Sequence, residues 1–224
     1  MADNLELLRI AVAQLGDLAK RFVFAGGCVT GLLISDEASA AQRPTTDVDG
    51  IVEVLTYPQL INFEAQLEER GFRRAIDGPI CRWEKEELLL DVMPVNGELF
   101  GFNSRWFPEA VASADIREIA PKISIRVVTP IYFLATKLEA FSDRGKNDFL
   151  GSRDLEDVVA LVNGREELVD EIRVSDSEVK SFITKSFGNL LKKPPFLEAI
   201  PGHLNPEPDR IIIVMERLTK ISEI

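Results

Sequence analysis

Two runs set the fold of this chain: Phe24-Ala-Gly-Gly-Cys-Val-Thr-Gly-Leu-Leu33 and, after a polar connection, Arg43-Pro-Thr-Thr-Asp-Val-Asp-Gly-Ile-Val-Glu53. In the first, a glycine pair closes an apolar stretch. Gly26-Gly27 between a strand and a helix lets backbone N–H groups approach a phosphate, with the helix N-terminus adding positive potential. The same pair also suits a plain strand-to-helix turn. In the second, Asp47, Asp49, Ile51 and Glu53 share one face of a strand, and Val48, Gly50, Val52 and Val54 share the other. Carboxylates at i and i+2 point the same way, so both can present hard oxygen donors to a divalent cation.

The flanking sequence extends this pattern. Leu5, Leu8, Val12 and Leu15 recur at helical spacing, and Phe22 to Ala25 reads as a buried strand. Cys28 to Ile34 reads as a helix and Ser35 to Thr46 as a loop. Pro58 to Arg70 reads as a helix with Leu60, Phe63 and Leu67 inward and Gly71 as its cap. Phe72 to Ile76 and Ile80 to Trp83 read as strands around Asp77-Gly-Pro79. Leu88 to Met93 reads as a buried strand ended by Pro94. In that strand Asp91 stands between Leu90 and Val92, a costly placement unless it is paired, metal-bound or at the strand's end. Ser104 to Ala114 reads as a short helix and Ile123 to Val128 as a strand. Beyond Pro130 the patterns are helical: 130–144, 152–163, 166–172, 176–191 and 207–218, the last two separated by the Pro-rich connection Lys193 to Pro208. The expected class is therefore α+β (α/β) to about residue 128 and helical over 129–224.

Composition narrows the chemistry. The 224 residues carry a net charge of −11, which favours cationic partners and disfavours broad non-specific binding to nucleic acid. Two cysteines are too few for a secreted disulfide framework, the first residues show no signal-peptide pattern, and no apolar run is long enough to span a bilayer. A cytoplasmic protein away from membranes is expected. The single histidine, His203, lies in a Pro-rich stretch and reads as structurally idle, so histidine-based zinc sites and serine triads are disfavoured.

On the helical wheel of 130–144, Lys137 and Arg144 flank an apolar arc of Ile131, Leu134, Ala135, Leu138 and Phe141. Two cations on one helix edge can grip phosphates. Asp154 falls inside the apolar arc of the following helix, behind an N-cap at Ser152. Asp157 lies further from the arc and reads as solvated. Arg43, just ahead of the carboxylate pair, can contact phosphate or pair with Asp49.

Gly-Gly after the first strand, Asp-x-Asp on the next and a single Asp on a later one resemble the nucleotidyltransferase superfamily, the DNA polymerase β-like fold. The long gap before Arg43-Pro-Thr-Thr-Asp-Val-Asp49, the helix around Lys137 and Arg144, and Ser152-Arg-Asp-Leu-Glu-Asp157 are similar to the AbiEii-type, MenT-like toxin branch. The resemblance covers roughly residues 22–165. It implies a nucleotidyltransferase domain over 1–128, a mixed sheet flanked by helices, and a helical bundle over 129–224 that completes its active site. It implies that Asp47, Asp49 and Asp91 bind Mg²⁺ (or Mn²⁺), with Asp91 as ligand or base. Gly26, Gly27, Arg43, Lys137 and Arg144 would hold the triphosphate of an NTP, with Thr45 beside them, and Asp154 would orient Lys137 or the acceptor. In that branch the nucleotide goes to the 3′ end of tRNA and a cognate antitoxin is encoded alongside. Thr45 matches the hydroxyl-bearing position that some of those antitoxins phosphorylate. A small-molecule nucleotidyltransferase acting on a cationic, aminoglycoside- or lincosamide-like acceptor is the alternative favoured by the acidic charge. An inactive nucleotide-binding module is the third reading.

Overall fold

The structure, a computed structural model, describes residues 3–36, 39, 43–103, 105–204 and 208–224. Within those bounds the chain divides into two compact units. One comprises Met1–Leu32 and Arg43–Thr129, the other Leu33–Gln42 and Pro130–Ile224. Parts of three sequence readings (residues 37, 38 and 40–42 of the loop, Ser104 of the short helix, and 205–207 near the last helix) lie outside the described residues.

The first unit is built on a seven-stranded mixed sheet, matching the expected α+β class. Its strands are β1 (Phe22–Ala25), β2 (Asp47–Val52), β3 (Arg73–Arg74), β4 (Arg82–Lys85), β5 (Leu88–Pro94), β6 (Asp115–Ala120) and β7 (Ile123–Val127), in the order β3-β4-β5-β2-β1-β7-β6. β1 and β2 run antiparallel, whereas β2 pairs parallel with β5 and β1 parallel with β7. The central strands are buried, as their β-branched and aromatic residues require. Gly50 is where β2 yields to β1. A Cβ there would stand 2.3 Å from the Phe22 ring, which packs instead against Phe63 at 5.6 Å between centroids. Phe63 belongs to α3 (Tyr57–Glu69), the helix predicted around Leu60, Phe63 and Leu67. α3 starts on a Thr56/Gln59 capping box and stops where Gly71, at φ +83°, donates its N–H back to Glu68. The opening helix, α1 (Asn4–Leu15), buries Leu8, Ala11 and Leu15.

Several expectations need correction. The helix after the glycines is only a three-residue 3₁₀ turn, Gly27–Val29, followed by the four residues of α2 (Thr30–Leu33). The two strands predicted around Asp77-Gly-Pro79 shrink to β3 and β4. Ile76 and Ile80 fall in an exposed turn, because Gly78 at φ +115° makes a wider reversal than a tight hairpin. The helix expected from Ser104 is described only as α4 (Phe107–Ala112). β6 is not among the expected strands. It pairs antiparallel with β7 as a sheet edge.

The second unit is helical: α5 (Pro130–Arg144), α6 (Arg153–Gly164), α7 (Leu168–Val174), α8 (Ser177–Leu190), α9 (Pro194–Ala199) and α10 (Pro208–Ser222). Phe133, Leu138, Val158, Ile183, Phe187 and Leu218 are among its buried core. α9 lies within the segment expected to be a Pro-rich connection. Prolines at the first turn of a helix lack only an N–H that has no intrahelical partner there, so Pro194 and Pro195 start α9 rather than prevent it. His203 is not idle either: its Nε2 lies 2.7 Å from the Phe149 carbonyl and ties two loops of this unit together. No helix among the described residues is long and apolar enough to cross a membrane.

Candidate active site

Strand register assembles the carboxylates. Asp49 pairs with Asp91 across β2–β5, Arg82 pairs with Asp91 across β4–β5, and Ala25 pairs with Asp49 across β1–β2. Directly paired residues project to the same face of a sheet, so Ala25, Asp49, Asp91 and Arg82 form one row over four strands. Asp47 sits one pleat along on the same face. The three predicted carboxylates are therefore brought together, and a fourth residue, Arg82, stands among them.

Arg82 grips Asp91 as a fork. Its Nε donates to Oδ1 at 2.8 Å and its Nη2 to Oδ2 at 2.7 Å, while Nη2 also donates to Asp47 Oδ2 at 2.6 Å. Thr45 takes the remaining Asp47 oxygen, its hydroxyl donating to Oδ1 at 2.8 Å from a position only 6% exposed. This hydrogen bond to Asp91, followed by the nearby charges of Asp91, Asp47 and Asp49, holds the Arg82 guanidinium above its ordinary pKa. Asp47 and Asp91, two negative charges, share the single positive charge of Arg82. Sequence reading misses Arg82 because its partners lie 9 and 35 residues away and meet it only through three-strand pairing.

The glycine pair sits directly against this row. Gly26 has φ +68°, and a Cβ on it would fall 1.8 Å from Asp49 Oδ2. Asp49 therefore packs where only glycine leaves room. Asn4 links the two halves of the deciding stretch. Its Nδ2 donates to the Arg43 carbonyl at 3.0 Å and to the Gly27 carbonyl at 3.5 Å, and its Oδ1 accepts from the Thr45 N–H at 3.0 Å. Asn4 is invisible to helical periodicity, which registers only the apolar face of α1.

Among the described residues, no three His, Cys, Asp or Glu side chains are positioned to hold a metal ion. The donor set nonetheless fits one in kind: oxygen-only carboxylates with excess negative charge suit Mg²⁺ or Mn²⁺, and a cationic guanidinium stands on Asp47 and Asp91. Cys81, beside Arg82, is buried. Burial, then the charges of Asp91 and Asp49, pushes its thiol up to about 12. Cys28 is buried too, its Sγ 3.2 Å from the Ala25 carbonyl. In the folded protein at pH 8.5, iodoacetamide is expected to alkylate Cys81 roughly a thousandfold more slowly than in the urea-unfolded chain, since the thiolate is the reactive form. Comparable rates in the two states would show that the site is open.

Lys137, Arg144 and Asp154 belong to the helical unit. Lys137 Nζ lies 3.2 Å from Asp154 Oδ1 and 2.7 Å from Asp157 Oδ2. Arg144 Nε and Nη2 each donate to Asp154 at 3.1 Å. Ser152 caps the helix as expected, accepting from the Leu155 N–H. Asp157 is not solvated: it is 2% exposed, because α5 covers that side of α6 and brings Lys137 onto it. The two cations predicted to grip phosphates thus face carboxylates of their own unit.

The fold has a counterpart among solved structures. An antigenic nucleotidyltransferase-like protein from Paracoccidioides brasiliensis superposes with a TM-score of 0.57 at 18% identity, over 88% of this chain and 91% of that one. No curated protein matches the chain. A family model described as "Nucleotidyl transferase AbiEii toxin, Type IV TA system" matches residues 9–216, nearly the whole sequence. The chain therefore belongs to the AbiEii toxin nucleotidyltransferases of type IV toxin–antitoxin systems, and it is a nucleotidyltransferase.

Proposed function

We propose that Asp47, Asp49 and Asp91 form the centre of a Mg²⁺-dependent nucleotidyl transfer from an NTP to the 3′ end of tRNA. The observation that carries this reading is the shared row of Asp49 and Asp91, with Asp47 one pleat along and Gly26 against Asp49. A Mg²⁺ or Mn²⁺ ion held by these carboxylates would neutralise triphosphate charge and polarise the α-phosphate. Contact of the Gly26–Gly27 backbone with the triphosphate rests on the resemblance to toxin nucleotidyltransferases, and Asn4 fixes that loop relative to the strand carrying Asp47. Asp91, 6% exposed on β5 and held in one orientation by Arg82, would serve as ligand or as proton acceptor for the attacking hydroxyl. The acceptor oxygen bonds to the α-phosphorus, the bond to the departing phosphate breaks, and pyrophosphate leaves. Positioning and charge stabilisation do most of the work in such transfers.

Roles for Arg43, Lys137, Arg144 and Asp154 at the triphosphate or the acceptor rest on the resemblance to toxin nucleotidyltransferases, as do a cytoplasmic setting and the assignment of 1–128 as catalytic and 129–224 as the helical domain completing the site. The cognate antitoxin would act at Thr45. Two negative charges on that hydroxyl would stand against Asp47, 2.8 Å away in the unmodified protein. Mass spectrometry after co-expression with the neighbouring gene product tests this, and an unmodified Thr45 removes it.

The net charge of −11 favours a second reading, transfer to a small cationic acceptor. Incubating the protein with Mg²⁺ and each α-³²P-labelled NTP, with tRNA or an aminoglycoside as acceptor, separates the two. Label is expected on tRNA. Label on the aminoglycoside establishes the alternative, and NTP binding without transfer to either reduces the chain to a nucleotide-binding module.

A further inference from the structure

Every carboxylate oxygen of Asp47 and Asp91 accepts a hydrogen bond from the protein: Asp91 both of its oxygens and Asp47 one from Arg82, and Asp47 its other from Thr45. Arg82 Nη2 bridges Asp47 and Asp91, at 2.6 and 2.7 Å. A divalent ion bound by both residues would bond these same oxygens at about 2.0–2.1 Å, beside a guanidinium of like charge. The two cations therefore compete for this pair of residues.

The cluster is also built to let the arginine go. Arg82 is the first residue of β4, next to the exposed turn containing Ile76 and Ile80. Its side chain, 19% exposed, runs over Gly78, where a Cβ would come within 3.1 Å of its Cδ. Asp47 is 20% exposed. Asp47 and Asp91 share the single charge of Arg82, so a more highly charged cation is favoured in its place. Lys137 in the helical unit shows the contrasting design. It is 13% exposed between Asp157 at 3% and Asp154 at 10%, with Arg144 balancing the second acid.

We propose that Arg82 is a displaceable counter-cation: it holds Asp47 and Asp91 paired while the site lacks metal and releases them when a divalent cation binds. This rests on the assignment of the metal to Asp47, Asp49 and Asp91. Arg82 is then a positioning residue that sets metal affinity and keeps an empty, strongly negative site ordered.

Mn²⁺ binding without nucleotide, followed by the loss of the free-ion electron paramagnetic resonance signal, tests it on the wild type, R82Q, R82K and D47N. R82Q is expected to bind Mn²⁺ about tenfold or more tightly than the wild type, since a unit positive charge next to the ion is gone. R82K, which keeps the charge but loses the fork, is expected to lie between them, and D47N to lose binding. Equal or weaker binding by R82Q overturns the proposal while leaving the metal assignment standing. Absence of Asp47-dependent Mn²⁺ binding in both wild type and R82Q overturns the assignment itself. Should R82Q fail to fold, the wild type still decides. The Arg82 Nε–H resonance, assigned by its loss in R82K, is expected to shift on saturation with diamagnetic Mg²⁺. An unmoved resonance alongside Asp47-dependent Mg²⁺ binding overturns the proposal.

Discussion

Lys137→Met is expected to destabilise the protein by about 3–5 kcal/mol, the usual consequence of removing one partner from a buried ion pair. Methionine keeps the packing of the lysine stem, so the loss is electrostatic. Asp157, 2% exposed, would lose a cation 2.7 Å away, and Asp154, 7% exposed, would keep only Arg144. For a chain of this size the change corresponds to a fall of about 10 °C in melting temperature. Adding Asp157→Asn to Lys137→Met removes the buried charge that faced the lysine and should recover most of the loss. That double variant separates two roles of Lys137. Restored stability with transfer still abolished marks it as a participant in the reaction, and restored stability with restored transfer marks it as a structural counter-ion.

Gly26→Ala is the second large effect. At φ +68° and ψ −166° an L-residue costs about 1–3 kcal/mol relative to glycine. The new methyl would also fall 1.8 Å from Asp49 Oδ2 and 2.5 Å from its Cγ. The carboxylate has to turn away or the loop has to move, and either shift misplaces a proposed metal ligand by an ångström or more. Nucleotidyl transfer should drop by about a hundredfold or more, the scale typical of such displacements, while the melt moves by only a few degrees. A stability loss with full activity would mean that Asp49 is not at the reacting centre.

Much of this site is legible in the residues alone. Asp47 and Asp49 declare themselves because period-two alternation puts i and i+2 on one face, and Asp91 because a carboxylate between Leu90 and Val92 demands a partner. The features that escape depend on pairing between distant segments. Arg82 acquires its meaning only when β4 aligns with β5 and β5 with β2. Asn4 lies on the polar side of its helix, where nothing in the sequence says that residues 27, 43 and 45 will arrive. Asp157 reads wrongly as solvated because a helical wheel ranks positions by their own helix and takes no account of a cation delivered by the neighbouring one. β6 escapes for a related reason: Asp115-Ile-Arg-Glu-Ile-Ala120 carries charges on both faces, and only its pairing with β7 makes it an edge strand.

The central claim is that the carboxylates on β2 and β5 carry nucleotidyl transfer. Pyrophosphate release from NTP, measured with and without Mg²⁺ on the wild type and on Asp49→Asn, tests it most directly. Asn keeps the size and packing of Asp49 against Gly26 while removing its charge. Mg²⁺-dependent release by the wild type and a loss of about a thousandfold or more in the folded variant are predicted, the scale expected when a charge-stabilising group is lost from a reacting centre. Wild-type rates in Asp49→Asn, or release independent of Mg²⁺, would contradict the assignment.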